Sequence, residues 1–155
     1  MTSFDDVYKK FYSKITDDMY MELTPEDTEV MLDDLLVGAL PYFEFPRQDV
    51  HNVDMDAKIF MADLTNEEQN IISTYMVVEW FGYQLASVEN TRMKYSGTDF
   101  KFTSQANHMQ KLLQLKKDYE RVGFHLQRLY KRRRADGNGI MRSTFGDIMK
   151  PIEGA

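Results

Sequence analysis

The residues that come closest to a metal-site spacing lie in an acidic stretch, 52–63. Asn52, Asp54, Asp56 and Asp63 occupy positions 1, 3, 5 and 12 of a calcium-binding loop. Such a loop needs a glycine at its sharp turn, and Ala57 stands there instead. We therefore interpret this stretch as a solvated acidic loop, and we expect no bound metal.

Other catalytic chemistry finds little support in the residue types and their spacing. The histidines, His51, His108 and His125, are too far apart in sequence to place two imidazoles on neighbouring helical turns. The chain has no cysteine, and its eight glycines do not form a phosphate-binding turn. A serine nucleophile in a G-x-S-x-G turn is also missing. We expect no enzyme activity and no cofactor.

The one concentrated run of cations lies late in the chain, at Arg128 and 131–134. Two interpretations remain open. Cations favour the negative end of a helix dipole, so the run could simply end a helix. Alternatively, clustered arginines bind phosphates or an acidic protein rim. The candidate binding residues are Arg128, Lys131, Arg132, Arg133 and Arg134.

Charge divides the chain into two unlike halves. Residues 1–90 contain 19 acidic and 5 basic side chains, whereas residues 91–155 contain 6 acidic and 14 basic ones. The net charge of -6 conceals this division. The halves could neutralise each other within one fold, or they could steer association with another chain.

Length and composition predict one globular domain without a membrane span. A chain of 155 residues with 43% hydrophobic residues can bury a single core. No stretch approaches the roughly 20 apolar residues that cross a bilayer, and the acidic N-terminus is unlike a secretory signal. We expect no membrane partner.

The first half of the chain predicts two helices followed by a long irregular stretch. Apolar residues at helical spacing predict a helix over 3–15. Thr24 and Pro25 are typical of a helix start, and the helix should end or kink near Pro41. Residues 43–63 lack periodicity, apart from a short strand expected around Ile59 and Phe60.

The second half predicts two longer helices. Thr65 and Glu68 form a capping box before a buried helix over 66–95, in which Gly82 suggests a close helix crossing. Residues 98–103 could form either a short strand or an extended connection that pairs near Ile59. A last helix over 105–135 carries a heptad-like seam, filled either by the bundle or by another chain; it comprises Leu112, Leu115, Tyr119, Val122, Leu126 and Leu129.

A tail follows the glycines after Asp136. Its apolar residues are candidates for docking on a partner, and they include Ile140, Met141, Phe145, Ile148 and Met149. We therefore predict an all-α bundle of about four helices in 1–136, with a long C-terminal helix and a short β element. Residues 137–155 are predicted to form an extended docking arm.

Four passages carry a resemblance to a known family. They are ADLTNEE at 62–68, MVVEW at 76–80, ENT at 89–91 and FTSQANHM at 102–109 with the helix after it. Through them, residues 4–130 resemble small virion proteins of tailed bacteriophages that infect Gram-positive bacteria. Members of this group are similar to head-to-tail connector, or neck, proteins, which form a ring beneath the portal and continue its DNA channel.

The resemblance implies a structural virion protein of the neck, present in the host cytoplasm during assembly. It implies a closed ring of about twelve copies, with the portal protein on one side and a downstream neck or tail protein on the other. Genomic DNA would pass through without sequence-specific binding. An acidic channel wall is expected among Asp17, Asp18, Glu22, Asp54 and Asp56. A small DNA-binding protein and a coiled-coil adaptor remain alternatives.

Overall fold

The computed structural model describes residues 1–15, 24–94 and 102–144. Within these ranges the chain folds as a helical bundle with a long C-terminal helix and small strands, which confirms the predicted fold class. The helices are α1 (Phe4–Tyr12), α2 (Pro25–Ala39), α3 (Asn66–Lys94) and α4 (Phe102–Arg132). The strands are β1 (Thr2–Ser3), β2 (Val53–Asp54), β3 (Ile59–Phe60), β4 (Arg133–Ala135) and β5 (Met141–Ser143).

Side-chain caps start the first three helices. The Ser3 hydroxyl accepts the amide of Asp5, and the Thr24 hydroxyl accepts the amide of Asp27 at 3.1 Å. Pro25 then supplies the backbone angle of a first helical position. α2 ends at Ala39, and Pro41 lies in a short 3-10 turn over Leu40–Tyr42, as the missing amide donor of proline predicts.

α3 is the centre of the core. The Thr65 amide donates to the Glu68 carboxylate at 2.8 Å and the Glu68 amide donates to the Thr65 hydroxyl at 3.3 Å, which confirms the capping box. α3 contacts all of the other helices, α1, α2 and α4. Its fully enclosed side chains include Ile71, Ile72, Met76, Val77 and Val78.

The predicted strand near residue 100 is wrong where it can be compared. Phe102 and Thr103 belong to α4, and residues 98–101 lie outside the described ranges. The physical reason is that β3 has no free edge. It is the middle strand of a three-stranded antiparallel sheet, with Ile59 opposite Ser3 on one side and opposite Asp54 on the other.

The acidic stretch 52–63 forms a hairpin rather than a calcium loop. Asp54 accepts the amides of Asp56 and Ala57 at 3.0 and 2.9 Å, which is a local turn of the kind that aspartate favours. Lys58 closes the turn with a positive φ of 56°. Two backbone amides therefore share one oxygen of Asp54, and this shared bond shapes the turn of the hairpin.

The seam of α4 packs only along one edge. Leu112 and Tyr130 are buried, and Tyr119 and Leu126 pack against the core, but Leu115 and Val122 are 43% and 47% exposed. The close helix crossing is at Gly123, where an added Cβ would lie 2.7 Å from the Tyr75 ring. At Gly82 it would meet only the Lys116 ammonium at 3.8 Å, so the predicted crossing lies elsewhere.

The chain reverses after α4 in a second hairpin. α4 ends at Arg132, three residues before the predicted end, and β4 pairs with β5 so that Arg134 lies opposite Arg142. The predicted boundary between residues 136 and 137 falls in the connecting turn. Residues 145–155 lie outside the described ranges, so the docking arm stays a prediction. No helix in the described ranges is long and apolar enough to cross a membrane.

Candidate functional site

The cations of the sequence run gather where α4 ends. We call this surface the basic end, and it consists of Arg128, Lys131, Arg132, Arg133, Arg134 and Arg142. All of these side chains are exposed. Arg128, Lys131 and Arg132 lie on the last turns of α4, whereas Arg133, Arg134 and Arg142 lie on the β4–β5 hairpin. The prediction that the whole run ends a helix is thus correct only for its first half, because the chain turns into a strand at Arg133.

Arg47, in the segment between the 3-10 turn and β2, binds the end of α4. Its guanidinium lies 4.0 Å from the centre of the Tyr130 ring and donates to the carbonyl oxygens of Tyr130, at 2.5 Å, and of Arg133. The last carbonyl groups of a helix have no partner within the helix. Arg47 therefore satisfies backbone acceptors at the very point where α4 becomes β4.

A buried hydrogen-bond chain holds Tyr130 in place. The Tyr130 hydroxyl donates to the Glu68 carboxylate at 2.6 Å and accepts the backbone amide of Arg47 at 2.8 Å. Tyr130 and Glu68 are each 1% exposed. Burial, and next the bond to Glu68, raises the pKa of the Tyr130 hydroxyl well above its usual value. The hydroxyl therefore stays protonated and ties the start of α3 to the end of α4.

Gln127 extends this anchoring one turn earlier. Its amide nitrogen donates to the Tyr75 hydroxyl at 2.7 Å and to the Tyr42 carbonyl at 2.8 Å, while its oxygen accepts the Glu44 amide at 3.0 Å. The Tyr42 and Tyr75 rings stack at 5.1 Å between centroids. The segment after α2 is thus fastened to α4, and the basic end stands on a rigid support.

Some of the cations already have partners. Arg133 lies 3.8 Å from Glu67, and the Lys131 ammonium lies 3.6 Å from the centre of the Phe45 ring. Arg142 donates to Asp136 at 2.6 Å, and this bond, followed by the amide of Ile140, lowers the pKa of Asp136. Arg128, Arg132 and Arg134 have no carboxylate within 4.0 Å among the described residues.

The basic end can bind anions. Each guanidinium offers a planar set of donors that matches the oxygens of a carboxylate or a phosphate, and several of them together attract an acidic surface strongly. Within the described ranges, no group of three or more histidine, aspartate or glutamate side chains could hold a metal ion.

The remaining predicted residues, those of the docking arm and of the acidic channel wall, do not belong to the basic end. Ile140 and Met141 lie on the β4–β5 hairpin and are 56% and 45% exposed, whereas Phe145, Ile148 and Met149 lie outside the described ranges. Asp54 and Asp56 are exposed together in the β2–β3 turn. Asp17, Asp18 and Glu22 also lie outside the described ranges, so the acidic channel wall stays a prediction.

Sequence reasoning missed the residues that support the basic end. Arg47 is the only arginine in residues 1–90, which was a signal that it serves a particular partner. Arg142 stands eight residues after the run and joins it only through the hairpin pairing. Glu68 was assigned to a capping box, and its second oxygen binds Tyr130, 62 residues away.

A separate open cleft of about 410 Å³ lies between α1 and the start of α3. It is lined by Asp6, Lys9, Lys10, Ser13, Asn66 and Gln69. The Ser13 hydroxyl donates to the Lys10 carbonyl at 2.7 Å, and Lys10 donates to Asn66 at 3.3 Å. The first bond closes the end of α1, and the second joins α1 to the start of α3.

No protein-family model, no curated protein and no solved structure matches this chain.

Proposed function

We propose that this chain is a structural subunit of the head-to-tail connector of a tailed bacteriophage, as its sequence passages imply. The observation that carries the proposal is the basic end, an exposed set of arginines on an otherwise acidic protein. In a connector, this end would bind an acidic rim of the portal or of the next protein in the neck. The chain would have neither a catalytic site nor a cofactor.

The anchored end of α4, which carries Arg128, Lys131 and Arg132, supports a role in protein binding. A flexible arginine loses conformational entropy when it binds, whereas a surface held in advance loses less. Here Arg47, Tyr130 and Gln127 hold the backbone that carries the cations. Three guanidinium groups without a described carboxylate partner are then ready for acidic groups on another chain.

Truncation tests the docking role. Deleting residues 138–155 removes β5 and should abolish co-sedimentation with portal rings. The far-UV circular dichroism of the helices should stay intact, because Tyr130 is the last buried hydrophobic residue in the described ranges. Deleting only 145–155 keeps the hairpin and separates its contribution from that of the tail. Undiminished portal attachment by both truncated chains would refute the docking arm.

Charge reversal tests the basic end directly. Arg132→Glu together with Arg134→Glu should weaken portal binding at least tenfold, roughly the effect of losing two charge-assisted contacts. Lys9→Glu with Lys117→Glu is the matched control, since both lysines are exposed outside the basic end. Negative-stain images of closed rings, alone or on the portal, would support the connector. A strict monomer that ignores the portal would refute it.

A DNA-binding role is the second candidate, and the β4–β5 hairpin is the observation that favours it. Arg134 and Arg142 lie opposite each other on a two-stranded ribbon, an element that the major groove of DNA admits. This role predicts salt-sensitive binding of duplex DNA at micromolar affinity. Neutralising Lys131–Arg134 should then weaken DNA binding and leave portal binding unchanged.

A further inference from the structure

One side of α2 has no cover in the described part of the chain. Val30 and Val37 are 61% and 49% exposed, and their spacing of seven residues places them on the same side of the helix. Glu26 and Asp34, four residues before and after Val30, are exposed on that side as well. We call Glu26, Val30, Asp34 and Val37 the valine face.

The acids of the valine face differ from the other acids of α2. Asp33 accepts the Tyr8 hydroxyl at 2.7 Å and binds Lys58, and Glu29 lies 3.9 Å from the same lysine. These two carboxylates therefore share one cation within the molecule. Glu26 and Asp34 have no cation within 4.0 Å among the described residues, and α2 contains no basic residue.

α4 has an exposed side of the opposite charge. Leu115 and Val122, the uncovered edge of the heptad seam, are also seven residues apart. Lys111 lies one turn before Leu115 and is exposed. Asp118, three residues after Leu115 and four before Val122, lies on this side as well, and it is paired with Arg121 at 3.7 Å. Counted over all sides from Lys111 to Arg132, the helix has seven basic and two acidic side chains. We call Lys111, Leu115 and Val122 the leucine face.

The valine face and the leucine face match in spacing and in charge. Seven residues correspond to about 10.5 Å along either helix, so two apolar contacts can form at once. The acids beside the valines would meet Lys111 and the net positive charge of this part of α4. Pairing the valine face with a copy of itself would place acids against acids, which disfavours a symmetric dimer through that face.

We propose that the valine face of one copy docks on the leucine face of a second copy. Each molecule has one face of each kind, so the contact is head-to-tail and repeats until it closes into a ring or runs on as a filament. This inference deepens the proposed connector function, on which it rests, by naming the two surfaces that join neighbouring subunits.

A mixing experiment tests the pairing. Val30→Lys with Val37→Lys spoils the valine face, and Leu115→Glu with Val122→Glu spoils the leucine face. Each variant alone should be a monomer by light scattering after size exclusion, with an apparent dissociation constant raised at least about tenfold. An equimolar mixture should form a heterodimer, because each partner retains the face that the other needs.

The control uses exposed apolar residues on the other flank of α4. Leu113 and Phe124 are 43% and 54% exposed and lie away from the leucine face, so Leu113→Glu with Phe124→Glu should assemble like the unmodified chain. Circular dichroism checks that every variant is folded. If a variant unfolds, serine at the same positions replaces the charged residue and the same outcomes apply.

The possible results separate this inference from the connector function. If the unmodified chain assembles and the face variants assemble equally well, or if the mixture stays monomeric, the pairing is wrong and the connector can still be right. If the variants assemble but no longer bind the portal, the pairing is again wrong and the connector can still be right. If the mixture forms heterodimers while the unmodified chain never binds a portal, the pairing stands and the connector fails.

Discussion

Gly123 shows how closely α3 and α4 approach each other. An added Cβ would lie 2.7 Å from Cζ of Tyr75 and 3.0 Å from its neighbouring ring carbons. The Tyr75 ring cannot easily move, because it stacks on Tyr42 and its hydroxyl accepts a bond from Gln127. A single missing side chain therefore sets the distance between the two long helices.

The substitution Gly123→Ala should lower the free energy of unfolding by about 1–3 kcal/mol, the usual cost of overpacking a core. Gly82→Ala is the matched control, since its Cβ would have 3.8 Å of room to a flexible lysine. It should raise stability by up to about 1 kcal/mol through helix propensity. Urea unfolding measures both, and equal stabilisation by the two alanines would contradict the close crossing.

Tyr130 should contribute to stability in a pH-dependent way. Its pKa is raised above the usual 10.0 first by burial and then by Glu68, so the folded protein retains a proton that the unfolded chain releases. The contribution is present below pH 10.0 and is lost as the pH rises towards the raised value. Tyr8, whose pKa is raised by burial and by Asp33, adds to the same slope.

Tyr130→Phe should destabilise the protein by about 1–3 kcal/mol at neutral pH, because it leaves the buried Glu68 oxygen without a donor. Above pH 10.0, its stability should fall less steeply than that of the unmodified chain. Denaturant unfolding across the alkaline range measures the difference. Tyr83→Phe, at a 60% exposed side chain, should change stability little. A parallel pH profile for Tyr130→Phe would show that the tyrosine titrates normally.

At the scale of the elements, the β4–β5 hairpin is stabilised mainly by contacts between its own residues. Its strands pair with each other, and a two-stranded hairpin alone is only marginally stable in water. Asp136 supports its turn by accepting the amides of Asn138 and Ile140, in addition to the Arg142 guanidinium. The hairpin should therefore open before the helices do.

Acidification should open the hairpin. The pKa of Asp136 is lowered from 3.8, first by Arg142 and then by the Ile140 amide, so its contribution is present above that pH and lost as the pH falls through the lowered value. Amide chemical shifts of Asn138 and Ile140 should follow this titration. In Asp136→Ala they should have open-turn values at every pH. Shifts that move together with the helix signals would contradict local opening.

For the whole molecule, the acidic first half and the basic second half of the chain place opposite charges on α2 and α4. α2 has acids and no bases, whereas α4 has seven bases against two acids between residues 111 and 132. These helices both pack on α3. The exposed acids of α2 and the exposed bases of α4 can thus pair with opposite charges on a neighbouring chain.

Self-association should weaken when salt is added. Raising NaCl from about 0.05 M to about 0.5 M shortens the screening length to well below 10 Å and reduces attraction between the acidic and basic faces. Sedimentation velocity at fixed protein concentration should show smaller assemblies at high salt, with unchanged circular dichroism. Larger assemblies at high salt would indicate that apolar contacts alone drive association.

Local signals in the sequence determined most of the helical architecture. The caps at Thr24 and Thr65, the break at Pro41 and the apolar periodicity of α3 act within one or two turns, and the helices begin and end close to the positions that these residues predict. The short strand at Ile59–Phe60 was likewise predicted from its own residues. The basic run of the candidate site was visible in the sequence for the same reason.

Only the tertiary structure decided which side chains of these helices are buried and which distant residues are in contact. The sequence showed the heptad seam of α4, but packing on α3 decided that Leu112 is buried and Leu115 is exposed. Arg47 supports the basic end through a contact with Arg133 across 86 residues, and Arg142 joins it through the hairpin pairing opposite Arg134. Such contacts depend on how distant segments meet in space, and the pattern of residues along one helix does not contain that information.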